Sequence, residues 1–211
     1  MKIKTFVFNP FQENTYVIYD ETKEAAIIDA GCLFDAEKEQ LKHFIDENEL
    51  IVRRVLNTHL HLDHIFGNNF VFETYAVKPE ASIKDEFLIQ AFAASIRAFG
   101  LPIEGKAQPI GSYIEENQEV SFGNIKLKTF PVPGHSPGSI AFYNEKEGVV
   151  FTGDALFQNS IGRTDLQGGD HATLIRSIQQ NLFTLPDSTV VYSGHGPTTT
   201  IGEEKKHNPY L

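Results

Sequence analysis

Apolar and polar residues alternate from the start of the chain. Residues 3–8, 16–19 and 25–29 are rich in β-branched and aromatic side chains, are separated by short turns, and predict an antiparallel β-meander. The period then changes. Leu41, Phe44 and Ile45 recur at helical spacing and predict a helix over residues 36–47 with Asp35 as its cap, after which residues 52–57 return to strand. Residues 64–75 and 83–99 read as helices. The second is amphipathic through Phe87, Leu88, Ala91, Phe92, Ile96 and Phe99 and stops at Gly100. A turn-rich loop fills residues 100–111. Strands resume at 119–122, 125–130, 139–143 and 149–152. Asp170 can cap a helix reaching residue 183, and residues 189–192 make the final strand.

Strands mixed with helices in both halves predict an α+β chain: an αββα sandwich of two mixed sheets packed face to face, with helices on both outer faces. No repeat or low-complexity linker interrupts residues 1–211, so a single domain is expected. Composition adds exclusions. Over 211 residues, 41% hydrophobic and 22% charged residues suit a packed globular chain rather than a disordered one. A formal charge of −10 without a Lys/Arg cluster argues against nucleic acid as a partner. No signal-type apolar run opens the chain, and no stretch approaches a membrane span. The single cysteine, Cys32, excludes an internal disulfide framework and predicts a cytoplasmic protein, with Cys32 as a small buried side chain.

The chemistry concentrates in Thr58-His59-Leu60-His61-Leu62-Asp63-His64. In an extended chain residues two apart share a face, so His59, His61 and Asp63 are expected together, Leu60 and Leu62 opposite in the core, and His64 swung back as a helix begins. Three further ligand types follow predicted strands, each preceded by glycine: Gly134-His135, Gly153-Asp154 and Gly194-His195. Imidazole and carboxylate donors without thiolates suit zinc, with iron and manganese also compatible. His43, His171 and His207 lack such settings and are expected at the surface. Asp29, ending the third strand, is either a support behind a ligand or an ordinary turn carboxylate.

This constellation resembles the metallo-beta-lactamase superfamily, whose HxHxDH motif is matched by His59, His61, Asp63 and His64, and whose later landmarks are matched by His135, Asp154 and His195. The segments Val132-Pro133-Gly134-His135-Ser136-Pro137-Gly138, Gly162-Arg163-Thr164-Asp165 and the ending Asn208-Pro209-Tyr210-Leu211 are similar to short bacterial type II glyoxalases, which are hydroxyacylglutathione hydrolase-like proteins. The resemblance implies two divalent ions. His59, His61 and His135 would hold one, Asp63, His64 and His195 the other, and Asp154 would bridge them. It also implies attack of metal-activated hydroxide on an acyl thioester, since paired cations bring the pKa of a shared water toward about 7, with Asp63 orienting the nucleophile. Longer glyoxalases II carry a C-terminal helical domain supplying glutathione-binding surface, which this chain, ending at Leu211, is expected to lack.

Arg163 is a candidate for meeting an anionic substrate, set against a local pair with Asp165. Phe157, Phe87 and Phe92 are candidate pocket residues or core. Two other activities share the scaffold: persulfide oxidation at a mononuclear iron held at the positions of His59, His135 and Asp154, and hydrolysis of a lactone or beta-lactam. Oligomeric state is left open by the sequence.

Overall fold

The computed structural model describes residues 1–101, 103 and 105–211; residues 102 and 104 of the expected loop lie outside the described residues. The opening meander forms as β1 (Lys2–Phe8), β2 (Glu13–Tyr19) and β3 (Glu24–Ile28), paired antiparallel. β2 is buried on both faces, which is why residues 16–19 read as an unbroken apolar run; the polar Glu13, Asn14 and Thr15 that open the strand are buried as well. Helix α1 (Asp35–Glu47) leads to β4 (Ile51–Leu56), parallel to β3.

Asp35 does not cap α1. The helix starts at Asp35 with Phe34 as its N-cap residue, and Glu37 in its first turn reaches back to accept from the N-cap amide of Phe34, and also from the Leu33 and Asn9 amides outside the helix.

The helix expected over 64–75 is broken into α2 (Leu62–Ile65) and α3 (Asn68–Tyr75). The break falls at Gly67. Its N–H bonds the Ala30 carbonyl at 2.7 Å, and a Cβ there would lie 2.4 Å from Cys32 Sγ, so the chain bends where only a hydrogen fits. Cys32 is buried, as expected.

The sheet continues through β5 (Pro79–Ala81) and β6 (Ser112–Tyr113), with a 3₁₀ turn (Ile83–Asp85) and α4 (Glu86–Ala98) between them. The second sheet holds β7 (Glu119–Phe122), β8 (Ile125–Pro131), β9 (Ile140–Asn144) and β10 (Val149–Gly153). A small hairpin, β11 (Leu156–Phe157) with β12 (Ser160–Ile161), follows. Asp170 caps α5 (His171–Ser177) through Thr173 N–H at 2.7 Å, and the helix widens into a π turn, Ile178–Leu182. β13 (Val190–Ser193) runs parallel to β10, and β14 (Thr199–Thr200) closes the edge.

The polar C-terminal tail is ordered. It forms α6 (Ile201–His207), capped by Thr200, with acids in its first turn and bases in its last. The orders are β1-β2-β3-β4-β5-β6 and β14-β13-β10-β9-β8-β7, two mixed six-stranded sheets among the described residues.

The sheets face each other through Ile18, Ile28 and Leu56 from one side and Leu127, Phe142 and Phe151 from the other. The outer face of the first sheet buries Leu41, Ile45 and Val71 of α1 and α3, and that of the second buries Leu174, Ile178 and Leu182. This is the αββα sandwich the pattern predicted. The ends of β3, β4, β8, β10 and β13 all empty onto one rim, where the sheets are stitched together by Ile140 N–H to the Thr58 carbonyl (2.8 Å) and Asn14 N–H to the Gly194 carbonyl (2.7 Å).

Candidate metal centre

The rim gathers the seven predicted donors. His59, His61 and His135 present one atom each within 4.8 Å of one another, as do Asp63, His64 and His195, while Asp154 joins His59 and His64 in an overlapping set. The Asp154 carboxylate faces both groups: Oδ1 lies 3.3 Å from His64 Nε2, and Oδ2 lies 3.6 Å from His135 Nε2 and 3.5 Å from His195 Nε2. Asp63 Oδ2 is 3.2 Å from His195 Nε2 and 3.7 Å from His64 Nε2.

The alternation that selected these residues is only half realised. β4 ends at Leu56; His59 and His61 lie in the irregular segment beyond it, and Asp63 is delivered by the first turn of α2, opened by His64 N–H bonding the His61 carbonyl. Leu60 and Leu62 do turn into an apolar cluster.

Four of the five rings are fixed from behind. His135 Nδ1 donates to the Arg163 carbonyl at 2.7 Å and His195 Nδ1 to the Phe11 carbonyl at 3.0 Å. A carbonyl can only accept, so Nδ1 carries a proton in both rings and Nε2 is the nitrogen turned to the centre. His64 Nδ1 meets Asp29 at 3.0 Å, and His59 Nδ1 meets Thr58 Oγ1 at 3.0 Å. Thr58 Oγ1 in turn donates to Asp29 at 2.6 Å, and Thr58 N–H bonds the other Asp29 oxygen at 2.7 Å.

Asp29 is therefore a support behind two rings rather than a turn carboxylate. It takes a left-handed backbone (φ 52) that costs on the order of 1–2 kcal/mol for a non-glycine residue. Gly153, also left-handed (φ 51), is required here, since a Cβ would stand 2.3 Å from Thr58 Oγ1. His61 differs from the rest: its Nδ1 points inward, 2.8 Å from His135 Nε2.

His59 Nε2, His64 Nε2 and Asp154 Oδ1 are buried with no hydrogen-bond partner. Such atoms are costly unless something absent from a protein-only structure meets them, and a donor set of imidazoles and carboxylates fits divalent cations. The clusters are consistent with a binuclear metal site. Burial, reinforced by neighbouring imidazoles, holds His59 well below the ordinary histidine value and brings His61 down to about 4. Burial alone would lower His64 and His195 too, but the carboxylates of Asp154 and Asp63, with Asp29 beside His64, outweigh it and raise both. Burial alone would raise Asp63 and Asp154; His64 and His195 more than reverse it.

The remaining candidates separate cleanly. His43, His171 and His207 are exposed. The Arg163 guanidinium is exposed and paired in two bonds of 2.7 Å with Asp165, so its contact with the site runs through its backbone carbonyl on His135. Phe157 stacks edge-on near His195, with ring centroids 6.2 Å apart, and Phe92 is core that also lines a pocket beside His61.

Two carboxylates escaped the sequence reading. Asp85 accepts from Ser136 Oγ (2.6 Å), Gly138 N–H (2.6 Å) and Leu60 N–H (3.3 Å), tying the His135 loop to the His59–His61 segment. Glu13 is fully buried 4.0 Å from His64 and accepts from Thr15 Oγ1. Burial pushes both above the usual carboxylate range. Neither sits in a motif, because the partners of Asp85 and the His64 ring beside Glu13 lie far away along the chain.

The model for the metallo-beta-lactamase superfamily matches residues 8–195. The chain belongs to that superfamily. It is 38% identical over 212 residues to the hydroxyacylglutathione hydrolase GloC of Haemophilus influenzae, covering 100% of this chain and 98% of the relative. Among solved structures, the BLEG-1 B3 metallo-beta-lactamase is 40% identical with a TM-score of 0.91, covering 100% and 99% of the two chains. TTHA1623 in a di-iron-bound form is 34% identical with a TM-score of 0.86, covering 100% of both.

Proposed function

We propose that the protein is a metal-dependent hydrolase cleaving acyl thioesters of the hydroxyacylglutathione kind. The observation that carries this reading is the convergence of partnerless buried donors from separate loops on two groups linked by Asp154. His59, His61 and His135 would hold one cation, and Asp63, His64 and His195 the other, with zinc the expected metal. When bound, such a pair supplies an activated water near neutral pH and polarises the scissile carbonyl, so no serine or cysteine nucleophile is needed.

The chain's own residues orient this chemistry. Asp63, held ionised by His64 and His195, would orient the activated water. The Arg163 and Phe11 carbonyls hold the His135 and His195 rings with Nε2 toward the centre, and Asp29 with Thr58 prevents the His59 and His64 rings from turning. Full-length similarity to GloC supports the thioester, and the buried Cys32 suits a reducing, cytoplasmic setting.

The likeness to BLEG-1 favours a second reading, beta-lactam hydrolysis by the same centre. Metal content and turnover of S-lactoylglutathione and of a cephalosporin, on one purified sample, test both. Two metals per chain with thioester turnover lost on chelation and restored by zinc is the expected result. Cephalosporin turnover without thioester turnover supports the second reading. One iron per chain with oxygen uptake on a persulfide overturns both.

A further inference from the structure

Immediately beside the candidate centre lies a pocket of about 170 Å³ lined by Leu60, His61, Leu88, Phe92, Phe99 and Leu166. Its long wall is one stripe of α4, where residues 88, 92, 95 and 99 follow each other at helical spacing. Its inner wall is the His61 ring, whose other edge stands 2.8 Å from His135 Nε2. The pocket and the candidate centre thus share the His61 side chain. Among the described residues lining it none is Lys, Arg, Asp or Glu, and Arg163, the cation nearest in sequence to the His135 contact, is already paired with Asp165. Phe99 stays 46% exposed at the mouth. Apolar surface kept open next to a polar centre is what a ligand's apolar group covers, and the carboxylates of a glutathione headgroup would find no counter-charge there.

We propose that this pocket seats an aliphatic acyl chain, which makes acyl thioesters with several methylenes better substrates than short hydroxyacyl ones. The inference rests on the hydrolase reading, so its test needs a measurement that does not depend on turnover. The first experiment follows kcat/KM across acetyl, butyryl and hexanoyl thioesters of one neutral thiol. It should climb about fourfold for each methylene until the pocket is full. Ala91→Phe, which fills the pocket from α4, should reduce the hexanoyl-to-acetyl ratio at least about tenfold.

The second experiment titrates acetamide, butanamide and hexanamide into the zinc-loaded protein and follows backbone amide resonances. Hexanamide should bind tightest and shift Leu88, Ala91, Phe92 and Ser95, and Ala91→Phe should abolish those shifts. A flat chain-length series with no response along α4 overturns the pocket while leaving the hydrolase intact. Binding along α4 with inert thioesters keeps the pocket and overturns the hydrolase.

Discussion

The two halves of the centre are made of different chemistry. His59, His61 and His135 form a wholly imidazole group, all buried, and two of them are held below the ordinary histidine value by burial. Asp63, His64 and His195 add a carboxylate, and the His195 side chain is 26% exposed. One half offers, in His59 and His61, imidazoles held toward the neutral form; the other offers charge, and with it protons that a cation must displace. Asp154, reaching both, is the group on which the difference balances.

The largest effect should come from removing that shared group. Asp154→Ala should lose both metals and lower thioester turnover by about a thousandfold, equivalent to about 4 kcal/mol of lost charge stabilisation. Metal analysis beside kinetics checks it, and full two-metal occupancy in the variant would erase the proposed bridge.

Single-half variants come next. His61→Ala and His195→Ala should each fall from two bound metals to one, His195→Ala more readily losing its metal to a chelator titration because its half is open to solvent. Behind the ligands, Asp29→Asn should weaken metal affinity by roughly 10–100-fold, since it releases Thr58 and the His59 and His64 rings together. Equal affinity in the variant would reduce Asp29 to a turn residue.

The smallest effect separates the halves by protons. Depressed histidines hold no proton near neutrality, so a metal entering the first half displaces none from His59 or His61. Raised ones do hold protons, so loading the second half releases protons from His64 and His195 and tightens as pH rises. The groups facing these two rings are Asp29, Asp63, Asp154 and Glu13. Calorimetry in two buffers at about pH 6 and about pH 8 should show greater proton release for the second equivalent of zinc. Equal release would mean the halves are electrostatically alike.

Much of this was legible in the residue pattern because local rules sufficed. Strand alternation, the Asp170 cap and the glycines before His135, Asp154 and His195 each act within a few residues. Long-range contacts were not legible. The bend at Gly67 is imposed by Ala30 and Cys32, more than thirty residues earlier in the chain, and Asp85 acts on Ser136 and Gly138 across a sequence separation of |i−j| 51 and 53. The α1 cap was misplaced because Glu37 outcompetes Asp35 by reaching back to three amides. β5, β6 and β14 are too short, at 3, 2 and 2 residues, to show any period. The Thr200–Glu203 capping signal of α6 was present in the sequence and overlooked.

The loop bearing His195 is fastened to β2 at the opposite end of the chain: Asn14 Nδ2 donates to the Ser193 carbonyl at 3.0 Å and the Gly196 carbonyl at 2.9 Å, and the Tyr16 hydroxyl to Ser193 at 2.6 Å, across separations of |i−j| 179, 182 and 177. Closing so long a loop is entropically late work during folding. A ribosome-bound or C-terminally clipped chain would already hold six of the seven donors on its own polypeptide yet lack this seam and His195 with it. Docking of the last-made strand on the first-made sheet and completion of the Asp63–His64–His195 group are therefore one event, so whatever tightens that group also clasps the two ends of the chain together.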